Sequence, residues 1–435
     1  MRKMKDSGIE WVGEIPEDWG TRRIKTLFQL RNEKSFKPLS DVNLISLYTD
    51  KGVLQHSDIE YVAGNKASNA DGYKCVYEND IVVNIILCWM GAIGQSSYNG
   101  VTSPAYDIYK PNGCTNSRFY HYYFRTKGFN GECFQRGRGI MLMRWRTYSE
   151  DFMDIKVCYP PLSEQQRIAD FLDDKVVQID SVISKTRETI EEYKKLKQSI
   201  ITEAVTGKVK IENGKVKESE MLELKGDNLP NGWRWMKLKF LIDKNLQYGA
   251  NDSGIEYNPI LPRYVRITDI DSNGKLKNDE MLSLSEENSK DYFLEEGDIL
   301  FARSGASVGK TFIYKAEYGR CCFAGYLIRA KLNKKIINPQ FFFYYTLSSK
   351  YDIWKNGIFI QSTIQNIGAD KYSNLEVPVP TLNSQLSLIT FLDKKCSEID
   401  KLITKKEQLV VELEAYKKSL IYEVVTGKKE CVGIY

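Results

Sequence analysis

Apolar residues recur through the stretch 163–208 at Ile168, Leu172, Val176, Ile179, Val182/Ile183, Ile190, Tyr193, Leu196, Ile200 and Ala204. Steps of three and four place them on one narrow helical stripe, the pattern of a coiled-coil seam. No Pro or Gly interrupts the run. Ser163-Glu164-Gln165-Gln166 reads as a capping box at its start, and Gly207 stands where a helix closes with a left-handed residue. The stripe returns at Leu388, Leu392, Cys396, Ile399, Leu402/Ile403, Val410, Leu413, Tyr416, Leu420 and Val424. A shift of 220 residues superimposes the copies without a gap: Pro160 falls on Pro380, Gln165 on Gln385, Phe171-Leu172-Asp173 on Phe391-Leu392-Asp393, and Val205-Thr206-Gly207-Lys208 on Val425-Thr426-Gly427-Lys428. Roughly 20 of about 49 positions are identical, which marks a duplicated unit. Each copy predicts one helix of about 43 residues, a rod of about 65 Å.

A rod of this kind cannot bury its stripe alone. The economical partner is the other copy, packed antiparallel through Ile168, Leu172, Ile179, Ile183, Ile190 and Leu196 on one helix and Leu388, Leu392, Ile399, Ile403, Val410 and Leu413 on the other. The alternative is two amphipathic helices, each packed on its own domain. The second copy has Asn383-Ser384-Gln385-Leu386 in place of the capping box, which leaves its start less well defined.

The segments before the two helices, 1–162 and 230–380, also begin alike. Pro16-Glu17-Asp18-Trp19 matches Pro230-Asn231-Gly232-Trp233, and Glu78-Asn79-Asp80-Ile81 matches Glu296-Gly297-Asp298-Ile299. Each then offers a strand, a Gly-rich turn (Gly91 to Gly94; Gly305 to Gly309) and an aromatic helix candidate (Arg118 to Phe124; Gln340 to Tyr345). Elsewhere they diverge. The expected organisation is a mixed α/β globule over 1–162, a helix over 163–208, a linker over 209–229, a second globule over 230–380, a second helix over 381–428 and a tail over 429–435. The fold class is α+β, two mixed globules joined by two long helices in an antiparallel coiled coil with pseudo-two-fold character.

Composition narrows the function. The chain has 435 residues and only two histidines, His56 and His121, too few for His-rich metal sites or a His-based triad. The nine cysteines form no C-x-x-C pair and read as reduced thiols. The longest apolar stretch, Ile81 to Met90, is far short of a membrane span and is broken by Asn84. With no apolar stretch behind the opening residues, a cytoplasmic protein without membrane contact is expected.

Net charge is +5, so a nucleic-acid surface must come from clustering. Two windows cluster. Arg118, Arg125, Lys127, Arg136, Arg138, Arg144 and Arg146 face only Glu132, and Arg303, Lys310, Lys315, Arg320, Arg329, Lys331, Lys334 and Lys335 face only Glu317. Such patches suit phosphates, and Arg or Gln side chains can grip base edges bidentately. The candidate DNA contacts are Arg118, Arg136, Arg138, Arg144 and Arg146 in the first globule, and Arg303, Ser304, Lys310, Arg320, Gln361 and Thr363 in the second. A solvated basic face is the plain alternative.

Other motifs are decoys. Ser304-Gly305-Ala306-Ser307-Val308-Gly309-Lys310-Thr311 approximates a phosphate loop but has Ser where its first Gly belongs. Ser103-Pro104-Ala105-Tyr106 and Asn338-Pro339-Gln340-Phe341 each lack one Pro of the amino-methyltransferase tetrapeptide. No catalytic residue, metal site or cofactor of this chain's own is expected.

The opening Ser7-Gly8-Ile9-Glu10-Trp11-Val12-Gly13-Glu14-Ile15-Pro16, the run Pro160 to Ile168, its repeat at 380–393 and the paired Val-Thr-Gly-Lys endings resemble the specificity subunit of type I restriction–modification systems. The resemblance covers nearly the whole chain and is weakest inside the globules. It implies two target-recognition domains, each reading half of a split, asymmetric site in double-stranded DNA, with the helix pair fixing the unread spacer. It implies two methyltransferase subunits and two restriction subunits as partners, which would use S-adenosylmethionine, ATP and Mg. Two rival readings remain: a scaffold whose globules bind peptides or RNA, and an enzyme that uses the Gly305–Lys310 turn on nucleotides.

Overall fold

The computed structural model describes residues 2–49, 51–58, 71–140, 145–212, 215–221, 228–271, 274–305, 307–360 and 366–431. The chain divides into two compact units, Met1–Arg187 with Gln408–Tyr435, and Glu188–Glu407. Both boundaries fall inside the long helices, so each unit holds one globule and parts of both rods.

After an antiparallel pair of Met4–Asp6 and Glu14–Pro16, unit 1 has β1 (Gly20–Arg23) and β2 (Phe28–Arg31), then β3 (Ile81–Asn84), β4 (Ile93–Gln95) and β5 (Tyr106–Pro111). The last four form an antiparallel sheet in the order β4-β3-β5-β2. Helices α1 (Ser117–Phe124), α2 (Lys127–Arg136) and α3 (Ser149–Met153) follow, then β6 (Lys156–Tyr159), which pairs with β1. The aromatic run is a helix as expected. Asn116 caps it by accepting from Arg118 N and Phe119 N, and Phe119, Tyr120, Tyr123 and Phe124 are fully buried in the core beneath the sheet. Helix α4 (Leu162–Val205) comes next.

Unit 2 repeats the plan. It has β7 (Arg234–Lys237), β8 (Gln247–Tyr248), the short α5 (Glu286–Ser289), β9 (Ile299–Ala302), β10 (Thr311–Ile313) and β11 (Leu327–Ala330). Then come α6 (Pro339–Thr346), α7 (Ser349–Ile360), α8 (Ala369–Ser373), β12 (Glu376–Val379) and α9 (Leu382–Val425). Its sheet runs β10-β9-β11-β8, and β7 pairs with β12, so the topology matches unit 1 strand for strand. The insertions differ. Unit 1 adds a three-stranded antiparallel sheet and a hairpin over Ile45–Gln55, whereas unit 2 adds a sheet in which Arg263–Val265 runs parallel to Cys321–Phe323. The segment of unit 2 between α4 and β7 contains a hairpin of Val209–Glu212 and Lys215–Met221.

Each long helix is fastened to the globule before it by the same device. In unit 1 the fully buried Gln165 accepts from Asn116 N at 2.9 Å and donates to Pro160 O at 2.9 Å. In unit 2 the fully buried Gln385 accepts from Asn338 N at 2.6 Å and donates to Pro380 O at 2.9 Å. About two turns further along each long helix, Tyr122 donates to Asp173 at 2.7 Å and Tyr344 to Asp393 at 2.5 Å. The far ends dock as well. Gly207 and Gly427 take φ of +79° and +73°, and Lys208 N and Lys428 N reach back to Glu203 O and Glu423 O, closing the helices as expected. A Cβ on Gly207 would strike Pro230, and one on Gly427 would strike Pro16, so glycine is required for size as well as conformation.

The helices run antiparallel. In unit 1 Lys417 pairs with Asp180 at 2.5 Å and Arg187 with Glu414 at 2.6 Å. In unit 2 Lys197 pairs with Asp400 at 2.7 Å. The 220-residue shift carries Asp180 onto Asp400 and Lys197 onto Lys417, so two of these bonds are one bond made twice.

Of the expected seam, Ile168, Leu172, Ile179, Ile183, Ile190, Leu388, Leu392 and Ile399 are buried, and Ile403, Val410 and Leu413 half-buried. Leu196 is a correction: it is 48% exposed. The half-buried positions here are Tyr193, Lys197, Gln198 and Ile200, because a step of 3 and then of 4 from Ile190 bypasses position 196. The capping box is a second correction. Helix α4 begins at Leu162, and Gln166 bonds Asn116 Nδ2 and Asp170 instead of reaching back. The second copy begins at the equivalent Leu382, where the Thr381 hydroxyl accepts from Ser384 N at 3.3 Å.

These contacts rank the helix positions. Leu172→Ala is expected to cost ~2–5 kcal/mol and Leu196→Ala less than ~1 kcal/mol in urea unfolding. Equal costs would refute the observed seam. Half-buried His121 takes the Gln95 N–H at Nδ1, and burial, then the charge of Arg125, lowers its pKa from 6.5 to about 3. The unfolded chain therefore gains this proton first, so the ring's contribution is intact above pH 6.5 and declines as pH falls toward 3. His121→Gln is expected to flatten the loss of stability between pH 6.5 and 4; an unchanged slope would mean the ring titrates normally.

Candidate nucleic-acid interface

The two basic windows place several of their charges at equivalent points of the repeated scaffold. In unit 1 the turn between β3 and β4 is fastened to the loop after α2 by Thr147 N donating to Ile85 O at 2.9 Å. In unit 2 the turn between β9 and β10 is fastened to the loop after α7 by Ile367 N donating to Arg303 O at 2.9 Å. Each globule thus presents a hairpin turn and a helix-following loop side by side.

In unit 1 Arg138 and Arg146 are paired across the base of the loop, with reciprocal backbone bonds of 2.8 and 3.0 Å. Arg138 is 70% exposed at its side chain and reaches Asp151 at 2.7 Å. Arg136, at the end of α2, holds its buried Nε 3.5 Å from Glu132 Oε2, an ion pair without a hydrogen bond. Arg146 is half-buried and makes no ion pair among the described residues. The Trp145 indole stacks on Phe134, with centroids 5.3 Å apart, and donates to Phe134 O at 2.9 Å. Any side chain at Gly137 would strike that indole, which accounts for the glycine after α2. Leu87, Met90, Phe134 and Ile140 are exposed on the turn, on α2 and on the loop. Arg144 lies outside the described residues.

In unit 2 Arg303 lies over the ring of Tyr248, 5.0 Å from its centroid, and its Nε is buried without a partner among the described residues. Ser304 bridges to Asn366, and Lys310 closes the turn by accepting from Ala302 N at 2.8 Å. Gly305 and Gly309, at φ of +75° and +80°, make the turn possible. The segment after it is β10, not a helix, so the backbone amides at a helix start that a phosphate loop uses are missing here. Gln361 and Thr363 lie outside the described residues.

Two expected contacts are placed elsewhere. Arg118 binds Asp173 at 2.6 Å and Asp170 at 2.5 Å, holding α1 against α4. Arg320 pairs with Glu286 and covers the Phe293 ring at 4.4 Å, beside the unit's second sheet. Both guanidinium groups already have carboxylate partners.

Sequence reasoning missed the aromatic element. Tyr248 beneath Arg303, the exposed Tyr326 whose carbonyl accepts from Arg303 N, and the cluster in which Trp89 meets Phe134 edge-on and Trp145 stacks on it come from separate segments. Nothing local marks them. Planar cations beside exposed rings and apolar groups can hold phosphates, grip base edges and contact base faces. Among the described residues no group of three or more His, Cys, Asp or Glu is placed to hold a metal ion, and all nine cysteines are free. No helix among the described residues is long and apolar enough to cross a membrane.

Comparison with known proteins agrees with this layout. The family model "Type I restriction modification DNA specificity domain" matches residues 16–192 and 257–412. The chain is 24% identical to the MjaVIII type I restriction enzyme specificity subunit of Methanocaldococcus jannaschii, over 95% of this chain and 93% of that protein. It is 20% identical to the EcoKI specificity subunit of Escherichia coli, over 96% and 90%. Among solved structures, a chain of a type I R-M system matches with a TM-score of 0.72 at 15% identity, covering 95% of this chain and 99% of that one. The HsdS subunit of Thermoanaerobacter tengcongensis matches at 0.50 and 15%, covering 95% and 98%. With two matched stretches, one in each half of the sequence, over a duplicated scaffold, the chain belongs to the type I restriction–modification DNA specificity subunits, the recognition components and not the catalysts of those systems.

Proposed function

We propose that the chain reads a bipartite, asymmetric site in double-stranded DNA, one half with each unit, and serves both methylation and restriction by carrying two methyltransferase and two restriction subunits. The observation that supports this best is one turn-and-loop platform built twice on the same sheet topology but furnished with different side chains. One scaffold with two dissimilar faces suits two dissimilar half-sites. The uninterrupted antiparallel helices suit a spacer of fixed length between them. The chain binds no cofactor of its own in this reading. S-adenosylmethionine, ATP and Mg belong to the partner subunits, and the complex works in the cytoplasm.

Within the platform Arg136, Arg138, Arg146, Arg303, Ser304 and Lys310 are assigned to DNA, joined by Arg144, Gln361 and Thr363 on sequence grounds. Arg118 and Arg320 contribute to the field around it while their carboxylate partners hold them. Sequence alone also allows globules that bind peptides or RNA. A salt-dependent shift of duplex DNA in the presence of the methyltransferase subunits separates the readings, and its absence would sink this one.

Arg146→Ala and Arg303→Ala are each expected to cost ~1–3 kcal/mol at one base pair of one half-site if they read bases. If either grips phosphate, all sequences weaken alike and the salt slope falls by about one ion. Unchanged DNA affinity in both variants would remove the platform from the reading. Adding one heptad to α4 within 185–200 and to the paired stretch of α9 is expected to lengthen the accepted spacer and leave both half-sites unchanged. This is read by methylation sequencing of DNA modified by the assembled complex. An altered half-site with the old spacer would refute the spacing role.

A further inference from the structure

Among the described residues of unit 2, the buried or half-buried arginines are Arg263, Arg266, Arg303 and Arg329. Three of these donate from the guanidinium group to an acceptor: Arg263 to Asn278 Oδ1 at 3.3 Å, Arg266 to Asp269 at 2.8 Å and Arg329 to Phe293 O at 2.7 Å. The Arg303 side chain has neither a hydrogen-bond acceptor nor a carboxylate partner among the described residues. A partly desolvated cation without an acceptor is a cost that folding leaves unmet. The group is nonetheless held firmly. Its backbone is fixed on both sides, Arg303 N donating to Tyr326 O at 3.0 Å and Ile367 N donating to Arg303 O at 2.9 Å. Its guanidinium lies over the Tyr248 ring, 5.0 Å from the centroid. That ring is fixed in turn. Tyr248 pairs with Ile328 of β11, and its hydroxyl accepts from Ala369 N, at the start of α8, at 3.0 Å. Gly249 follows it where a Cβ would strike the Phe323 and Ala324 carbonyl oxygens, so the strand carrying Tyr248 lies close against that segment.

The way the group is held selects its ligand. One face is taken by Tyr248, and Nε is buried. The donors that remain are those of Nη1 and Nη2, set in one plane by the rigid fork. A matching ligand offers two acceptors side by side in that plane. Of the four bases only guanine does so in the major groove, through O6 and N7. Adenine sets a donor beside its N7, thymine offers one oxygen and cytosine a donor. Two features favour the base over a phosphate. A phosphate is served by a point charge free to follow it, and Lys310, without an ion pair among the described residues, closes the same turn. Beside Arg303 stands Tyr326, 63% exposed, and an aromatic ring packs on bases and not on phosphates. We propose that Arg303 reads a guanine in the half-site bound by unit 2, donating from Nη1 and Nη2 to O6 and N7, with Tyr248 as the positioning residue that holds the fork. This rests on the reading of the chain as a DNA-recognition subunit and names one base of its target.

The test uses the full chain with its methyltransferase subunits and duplexes carrying the target found by methylation sequencing. Each guanine is replaced in turn by 7-deazaguanine, which lacks the N7 acceptor. The wild type is expected to lose roughly tenfold in affinity at the guanine that Arg303 reads. Arg303→Lys keeps the charge and loses the fork, and is expected to erase that penalty alone and to accept other base pairs at the position. Tyr248→Phe is expected to keep the penalty and Tyr248→Leu to reduce it. An unchanged penalty in Tyr248→Leu overturns the positioning role, since a ring that serves only folding would lower affinity for every duplex alike. No penalty at any guanine, or penalties that all persist in Arg303→Lys, overturns the guanine assignment and leaves DNA recognition standing. Arg303→Ala weakening all sequences alike marks a phosphate contact and overturns the assignment as well. No shift of duplex by the wild type overturns the recognition reading itself, and the guanine with it.

Discussion

A buried carboxamide with both ends occupied ties each globule to the start of its long helix. Gln165 and Gln385 accept a backbone N–H that opens the aromatic helix of the globule and donate to the carbonyl that precedes the rod. Burying an amide is favourable only when its hydrogen bonds are met, so the geometry tolerates little drift. The tyrosine–aspartate bonds about two turns on add a second fixed point. Two points on one helix define its direction relative to the globule. Everything else in each unit, including the turn and loop that face outward, is positioned by a sheet and helices that share this anchor.

The rods and their duplication were legible because a helical stripe is a local, periodic signal and a repeat is visible without knowledge of contacts. The left-handed glycines at 207 and 427 were legible for the same reason. The error at Leu196 has a physical source: a helix of 3.6 residues per turn drifts against a seam read by eye, and Lys197 takes the place by reaching its charge past the interface to Asp400. The capping box failed because Gln166 found a better partner in Asn116, a residue 50 positions away. Within the platform, charge clustering located Arg136, Arg138, Arg146, Arg303 and Lys310. It also named Arg118 and Arg320, which lie away from the turn and loop, against Asp170 and Asp173 on α4 and against Glu286, because a window of sequence counts cations without seeing where the fold carries them. The aromatic faces beneath and beside those cations were out of reach, since Tyr248 and Arg303 meet only through the pairing of β8, β11 and β9.

The same scaffold supports two unlike surfaces because its constraints and its freedom lie in different places. The sheet order, the aromatic helix and the glutamine anchor are held in common. The turn and loop send only a few residues into the core, Cys88 in unit 1 and Val308 and Ile367 in unit 2, so their exposed side chains can change without disturbing it. Unit 1 sets bulky apolar groups and arginines there, and unit 2 sets a serine, a lysine and an arginine on a tyrosine face.

The Arg187–Glu414 bond has one more implication. Unlike the Asp180–Lys417 bond, it is not preserved by the repeat: the counterparts of Arg187 and Glu414 are Glu407 and Lys194, with signs reversed. In the same register two copies of α4 would bring Arg187 against Lys194, and two copies of α9 would bring Glu407 against Glu414. Either homotypic match sets like charges together, at a cost of a few tenths of a kcal/mol per contact. The duplicated rods are therefore not interchangeable. Polarity written into a nearly symmetric pair biases each half toward its own sibling and away from a stranger's identical strand.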